Sequence, residues 1–247
     1  MKILNNMKKI FNIIISLVIL AFLVVTLGFV ESKHHKIRCN EVSVVIKNIS
    51  NNYFIDKEEV FAIVTKNNVR LTGALYDSLN KAYIEKILGG HPAIKKADIY
   101  HDLKGKICIE VEQRIPIIRI INGDQSYYID EDGFKMPVSR KYTSRAIIAN
   151  GNISEKFALE ELYPLAKFIW ENKFWKSHIE QIWVDRTGDL GIVPRVGNHK
   201  IIFGDAKDFD DKLKKLKAMY DQAFNKLGWD KYKTINLKFK NQVICSK

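Results

Sequence analysis

The chain has 247 residues, of which 47% are hydrophobic and 28% charged, a composition that allows one or two globular domains and excludes a low-complexity chain. Forty Lys and Arg against 28 Asp and Glu give a net charge of +12. Such a balance alone would suit nucleic acid, so the compartment has to be settled before the charge is interpreted.

Residues 1–10 are a short tail carrying Lys2, Lys8 and Lys9. Phe11 to Val30, FNIIISLVILAFLVVTLGFV, then runs for 20 residues without a formal charge. At about 1.5 Å per residue this run reaches roughly 30 Å, the thickness of a bilayer's hydrocarbon core, and predicts a membrane-spanning helix over 11–30. Glu31, Lys33, Lys36 and Arg38 follow it, so flanking charge says little about orientation. Length says more: a tail too short for a domain stays in the cytoplasm and the remainder is exported. A cleavable signal fits less well, because the apolar run exceeds the usual stretch of about 7–15 residues and no small-x-small site follows. Outside the membrane the chain meets no genome. Nucleic acid is therefore not an expected partner, and the positive charge reads as a solvated surface, with anionic lipid headgroups secondary partners for Lys33, Lys36 and Arg38. Cys39, Cys108 and Cys245 are an odd number far apart, and no disulfide framework is readable from them.

Val42, Val44 and Ile46 alternate as in a strand, and Asp56-Lys57-Glu58-Glu59 opens a helix with a capping-box pattern that buries Val60, Ile63 and Val64. A second helix covers Leu79 to Leu88 and stops at Gly89-Gly90, with Pro92 beyond. Strands at Ile94 to Leu103 and Lys106 to Arg114 flank a turn at Lys104-Gly105, with Ile107, Ile109 and Val111 on one apolar face. The order is β-α-α-β-β, a small α+β domain of helices on a three-stranded sheet.

The stretch HPAIKKADIYHDLKGKICIEVEQRIPI resembles the closing hairpin of a POTRA domain, with a Pro-x-Ile-x-x-Ala entry and Arg114-Ile115-Pro116 at the exit. YYIDEDGFKMPVS, Tyr127 to Ser139, resembles the Tyr-x-Asp-x-x-Gly-x-x-x-Pro opening of the β-rich domain in the FtsQ/DivIB family of bacterial cell-division proteins. A tail, one membrane helix and one POTRA-like unit are that family's layout. The resemblance covers Asn40 to Lys247 and implies a tail at 1–10, a transmembrane helix at 11–30, a POTRA domain at 40–116 and an FtsQ-type β-domain at 117–247. Independently of the family, Asp132-Gly133 supplies the positive φ of a tight hairpin.

In the second part the pattern predicts a strand at Arg145 to Ala149. Ser154 caps a helix carrying Ala158, Leu162, Leu165 and Ile169, which Pro164 kinks or splits. A hairpin follows from Ile179 to Asp185 and Leu190 to Val196 around Thr187-Gly188, then a strand at Lys200 to Phe203. A long helix spans Lys207 to Leu227 with the stripe Phe209, Leu213, Leu216, Tyr220, Ala223 and Leu227; a core-facing role fits it better than a partner-binding one. Lys212, Lys214, Lys215 and Lys217 form its solvated face. The overall class is α+β, with a mixed or antiparallel sheet and two helices in the β-domain.

TINLKFKNQVICSK, Thr234 to Lys247, begins as a half-buried strand, with Ile235, Leu237 and Phe239 inward and Asn236, Lys238 and Lys240 outward. Such a strand is either zipped between neighbours, beside Lys200 to Phe203, or left at a sheet edge where its backbone recruits another chain. Alternation lapses at Asn241-Gln242, which reads as a bulge.

Motifs for catalysis are missing. His34, His35, His91, His101, His178 and His199 form no H-x-x-x-H unit, no serine has a nucleophile-elbow context, and no phosphate-cradling loop is present. Asp130, Glu131 and Asp132 read as turn chemistry rather than a glycosidic acid/base pair. The chain is therefore expected to be a non-enzyme without cofactor or metal. The family resemblance implies a single-pass scaffold in the cytoplasmic (inner) membrane at the division site, with its C-terminal domains on the periplasmic side. It would recruit small bitopic FtsB- and FtsL-like partners through the β-domain, the former by adding a strand at the edge formed by the last strand, and FtsK-like proteins through the POTRA domain. Carried over residue by residue, the family's aromatic falls on Phe239 and its following polar and small positions on Asn241 and Gln242, and the resemblance narrows the partner-binding set to Lys238, Phe239, Lys240, Asn241, Gln242, Val243 and Ile244. Gln242 stands where members commonly have a small residue. The alternative function is a POTRA-containing assembly or translocation module for exported proteins.

Overall fold

The computed structural model describes residues 11, 13–26, 38–48, 53–102, 104–224, 226 and 228–247. Residues 13–26 are helical and their apolar side chains exposed. Among the described residues no helix is long and apolar enough to cross a membrane. Asn12 and 27–30 of the expected span lie outside them.

From 38 onward the chain forms two compact units, each with its own core. The first contains β1 (Glu41–Lys47), α1 (Lys57–Lys66), a 3-10 turn (Tyr76–Ser78), α2 (Lys81–Gly89), β2 (Ile94–His101) and β3 (Lys106–Gln113). Its sheet has the order β1-β3-β2, with β1 parallel to β3 in a register that sets Val44 opposite Ile109 and Ile46 opposite Val111. The capping box starts α1 as its spacing predicts: the Glu59 N–H donates to Asp56 Oδ1 at 2.8 Å and Glu59 Oε2 accepts from the Asp56 N–H. Asn80 caps α2 through the Tyr83 N–H, so that helix starts two residues later than expected. Val60, Val64, Ile84, Leu88, Ile107, Ile109 and Val111 close the core between helices and sheet.

The second unit is built on a nine-stranded mixed sheet in the order β12-β11-β10-β9-β8-β7-β4-β5-β6. Its strands are β4 (Pro116–Asn122), β5 (Gln125–Asp130), β6 (Lys135–Pro137), β7 (Ile147–Gly151), β8 (Ile179–Val184), β9 (Leu190–Pro194), β10 (Lys200–Gly204), β11 (Thr234–Asn236) and β12 (Ile244–Ser246). Three neighbouring pairs are parallel, β4 with β7, β7 with β8 and β10 with β11; the last two join consecutive strands through helical crossovers. The first crossover is α3 (Glu155–Phe157), a π-turn (Ala158–Leu162), α4 (Tyr163–Glu171) and α5 (Lys173–His178); the second is α6 (Phe209–Met219) with a π-turn (Tyr220–Phe224). Pro164 sits just past the π-turn, and Phe157, Ala158, Leu162 and Tyr163 all keep helical dihedrals, so the expected helix runs past the proline, with the π-turn as its local irregularity, and ends at Asn172. α5, capped by Asn172, is an addition the pattern did not reveal.

Strand register sorts the side chains onto two faces. Tyr127, Ile120, Ala149, Ile182, Ile192, Ile201, Ile235 and Cys245 stand opposite one another on successive strands. This row meets Leu162, Leu165, Ile169, Leu213, Leu216 and Phe224 of the crossovers in one core. The alternate row, Ile121, Asn150, Trp183, Gly191, Ile202, Asn236 and Ile244, points away from the helices, as a period of two requires. There the Trp183 indole lies across Gly191, where a Cβ would stand 1.9 Å from the ring.

The helix Lys207 to Leu227 is shorter than its stripe suggests, and Leu227 lies outside the described residues. Its lysines do not form one solvated face. Lys212 is buried: its Nζ donates to the Asp205 carbonyl (2.8 Å) and carboxylate (2.6 Å) above the Phe203 ring. Lys212 lies three residues after Phe209 and four before Leu216, on the flank of the stripe, so its stem is covered while its ammonium reaches Asp205.

Candidate functional site

The site anticipated at 238–244 is arranged differently from one long strand. β11 lies parallel to β10 as adjacency predicts, and the Leu237 N–H still donates to the Ile202 carbonyl at 2.8 Å. Then the chain turns out of the ladder. Asn236 Oδ1 accepts the Lys238 N–H at 3.0 Å, an Asx-type contact that offers the backbone an alternative to pairing. Lys238 lays its stem beside Gly204, whose φ of +79° and lack of Cβ leave room for it, and its ammonium pairs with Asp189. That pairing and its hydrogen bond hold the Lys238 pKa above its ordinary value.

The turn runs through Lys240 and Asn241 and is tied to the helix layer by one side chain. Lys215 Nζ of α6 donates to the carbonyls of Phe239 (2.8 Å) and Lys240 (3.0 Å). The chain returns as β12, antiparallel to β11, with Thr234 opposite Ser246, Ile235 opposite Cys245 and Asn236 opposite Ile244. Three expectations are therefore corrected. Lys238 to Val243 form the loop of a hairpin, not a strand; Phe239 is 45% exposed, not inward; and the lapse at Asn241-Gln242 is the turn itself, not a bulge. Of the seven anticipated residues only Ile244 belongs to a strand.

That strand ends the sheet. β12 hydrogen bonds to β11 on one side and, among the described residues, has no strand on the other, leaving an open row of backbone groups. Ile244 is 41% exposed and shares the helix-free face with Ile202 and Trp183, whereas Val243 and Cys245 pack against the core. Burial pushes the Cys245 thiol up, and all three cysteines are free. His199, Tyr220, Phe224 and Trp229 form an aromatic cluster whose rings contact one another. His199 shares a 2.9 Å hydrogen bond with the Tyr220 hydroxyl, and its Nδ1 has no partner among the described residues. Burial lowers the His199 pKa and raises that of Tyr220, so both stay neutral near pH 7.

At the opposite end of the sheet the two quoted signatures meet. Arg114, from Arg-Ile-Pro, places Nη1 2.9 Å from Asp130, from Tyr-Tyr-Ile-Asp, and its guanidinium stacks 3.8 Å above the Phe134 ring. The other Asp130 oxygen accepts the N–H groups of Asp132 (2.9 Å) and Phe134 (2.7 Å), which closes the turn where Gly133 takes φ +83°. This residue is fully buried and serves the turn, in keeping with the reading of the acidic run as turn chemistry. No group of three or more His, Cys, Asp or Glu able to hold a metal occurs among the described residues.

A family model described as FtsQ/DivIB, C-terminal related, matches residues 115–246, more than half of the chain. The chain belongs to the FtsQ/DivIB family. A POTRA-like domain model matches residues 37–112, ahead of the FtsQ/DivIB region in the order the sequence implies. Nothing among the curated proteins matches the chain. This FtsQ/DivIB protein thus carries Asp130 inside the matched region, its ion-pair partner Arg114 one residue ahead of it, and its edge strand at the far end of that region.

Proposed function

We propose that this FtsQ/DivIB protein is a bitopic scaffold of the bacterial division machinery that recruits small FtsB- and FtsL-like bitopic proteins outside the cytoplasmic membrane. In this reading residues 11–30 anchor it in the membrane and 1–10 remain in the cytoplasm. The POTRA-like unit contributes near the membrane, with FtsK-like proteins as partners, and the scaffold has neither active site nor cofactor. The observation that carries the reading is β12, which among the described residues is paired with a strand on one side only, at the end of the sheet. A partner strand laid along it would gain backbone hydrogen bonds, with selectivity from alternate side chains.

The edge strand has three residues, so the ladder supplies few bonds by itself. Ile244 and the exposed Phe239 of the clamped loop supply apolar contact beside it, and Ile202, two strands away across Asn236, continues the same face. The contact set proposed here is accordingly Ile244 to Ser246, with Lys238 to Val243 as its flank. The assembly-module alternative has no observation in its favour: the one POTRA-like match is followed by an FtsQ/DivIB region.

Fluorescent localisation of the full chain in dividing cells tests the division reading. A mid-cell band is expected, and uniform membrane labelling would overturn it.

A further inference from the structure

The helix-free face of the nine-stranded sheet holds a cleft of about 450 Å³ away from the β12 edge. Register builds it: Arg119 of β4 stands opposite Ile148 of β7, which stands opposite Gln181 of β8, so Arg119 and Ile148 share a face, with Ile148 as floor. The loop before β7 contributes Thr143, Ser144 and Arg145, and Arg195, just past β9, closes the far wall with Glu180 of β8 beside it.

Three guanidinium groups thus surround one cavity with a single carboxylate among them. Several cations elsewhere in this unit find partners, as in Lys135 with Glu155, Lys212 with Asp205, Lys214 with Asp210 and Arg114 with Asp130. In the cleft they do not: among the described residues Arg145, Arg195 and Glu180 make no side-chain hydrogen bond or ion pair. Arg119 is the oriented member. Its Nε donates to Ser126 Oγ at 3.1 Å and its Cζ lies 5.6 Å from the Tyr128 ring centre, which leaves its terminal nitrogens for a ligand.

We infer that this cleft is a binding site for the phosphate group of a phosphate ester. Like charges gathered without counterions repel one another, and that repulsion is relieved when an anion enters. The guanidinium fork matches phosphate oxygens bidentately, the Thr143 and Ser144 hydroxyls add neutral donors, and the surplus of two positive charges over Glu180 suits a dianion. Glu180 repels part of any bound anion and limits affinity. The site does not depend on the division role, since no residue of the edge strand lines it.

The test is an NMR titration of the full chain in neutral detergent, following the arginine Nε–H signals. Inorganic phosphate is expected to give saturable shifts at Arg145 and Arg195 in the millimolar range, beyond those from chloride at equal ionic strength. The double variant Arg145→Gln/Arg195→Gln, changed at exposed positions, should weaken binding about tenfold or more, and Glu180→Gln should tighten it by roughly two- to fivefold. Glycerol phosphate and phosphatidylglycerol vesicles, compared with phosphatidylcholine, separate a soluble ester from a lipid headgroup; either ligand supports the site. Shifts no larger than those with chloride, unchanged affinity in both variants, or saturation by a glutamate hexapeptide but not by phosphate would overturn it.

Discussion

Replacing Asp130 by Ala removes an acceptor that three donors share: Arg114 Nη1 and the N–H groups of Asp132 and Phe134. Each net hydrogen bond is worth about 1 kcal/mol, and those involving a charge about 1.5–3 kcal/mol. The Arg114 side chain is only 14% exposed, so it would keep a mostly buried charge without its carboxylate. Loss of one member of such a pair typically costs about 3–5 kcal/mol, and that is the expected effect of Asp130→Ala. Asp130→Asn retains an acceptor of the same shape and should lose about half as much. All four tryptophans, Trp170, Trp175, Trp183 and Trp229, lie in the second unit, so urea unfolding followed by tryptophan fluorescence reports that unit alone. The Arg114→Met/Asp130→Ala double variant should lose less than the two single losses added together, because neither charge is then left stranded. A loss below about 1 kcal/mol for Asp130→Ala, or strict additivity in the double variant, would refute the assignment of Arg114 and Asp130 as one device.

Stability of the same unit should also depend on pH through His199. Burial holds its folded-state pKa below the ordinary 6.5, so the unfolded chain takes up the proton first as pH falls. Its contribution is complete above about 6.5 and is lost as pH drops from there toward the lower folded value; in His199→Gln the decline of the unfolding free energy between pH 7.5 and 5.5 should flatten. The lowered carboxyls Asp185 and Asp205 act below their ordinary 3.8 and leave that window clear. Lys215→Met should release the 238–243 loop: hydrogen exchange there should speed up by a few-fold to about tenfold, as loss of ~0.5–1.5 kcal/mol predicts, while the amides of β8 and β9 keep their protection.

The first unit was largely readable because its signals are local. Alternation in Ile107, Ile109 and Val111, the capping box at Asp56 and the double glycine at the end of α2 each act within a few residues, and each recurs in the fold. The hairpin at the end of the sheet was misread for the opposite reason. Lys238, Phe239 and Lys240 continue an alternating pattern, yet the carbonyls of the latter two are held by Lys215, 24 and 25 residues away, which no local rule reveals. Asn236 and Asn241 are the local turn signals there, and they compete with the hydrophobic periodicity. Lys212 follows the same logic: its spacing places it beside the buried stripe, and only its distant partner Asp205 makes burial of a lysine favourable. Arg114 and Asp130 were each singled out, one in an exit motif and one in an acidic turn, while their pairing across a strand connection became visible only in three dimensions.

The claim that β12 is where a partner strand docks is tested most directly by a photo-crosslinker placed singly at Ile244 or Ser246 of the full chain in dividing cells, with Val138 beside β6 as the control at the other edge of the sheet. The account predicts a covalent adduct with a small bitopic division protein from the β12 positions and none from Val138. Adducts of equal yield from all three positions, or from Val138 alone, would contradict it.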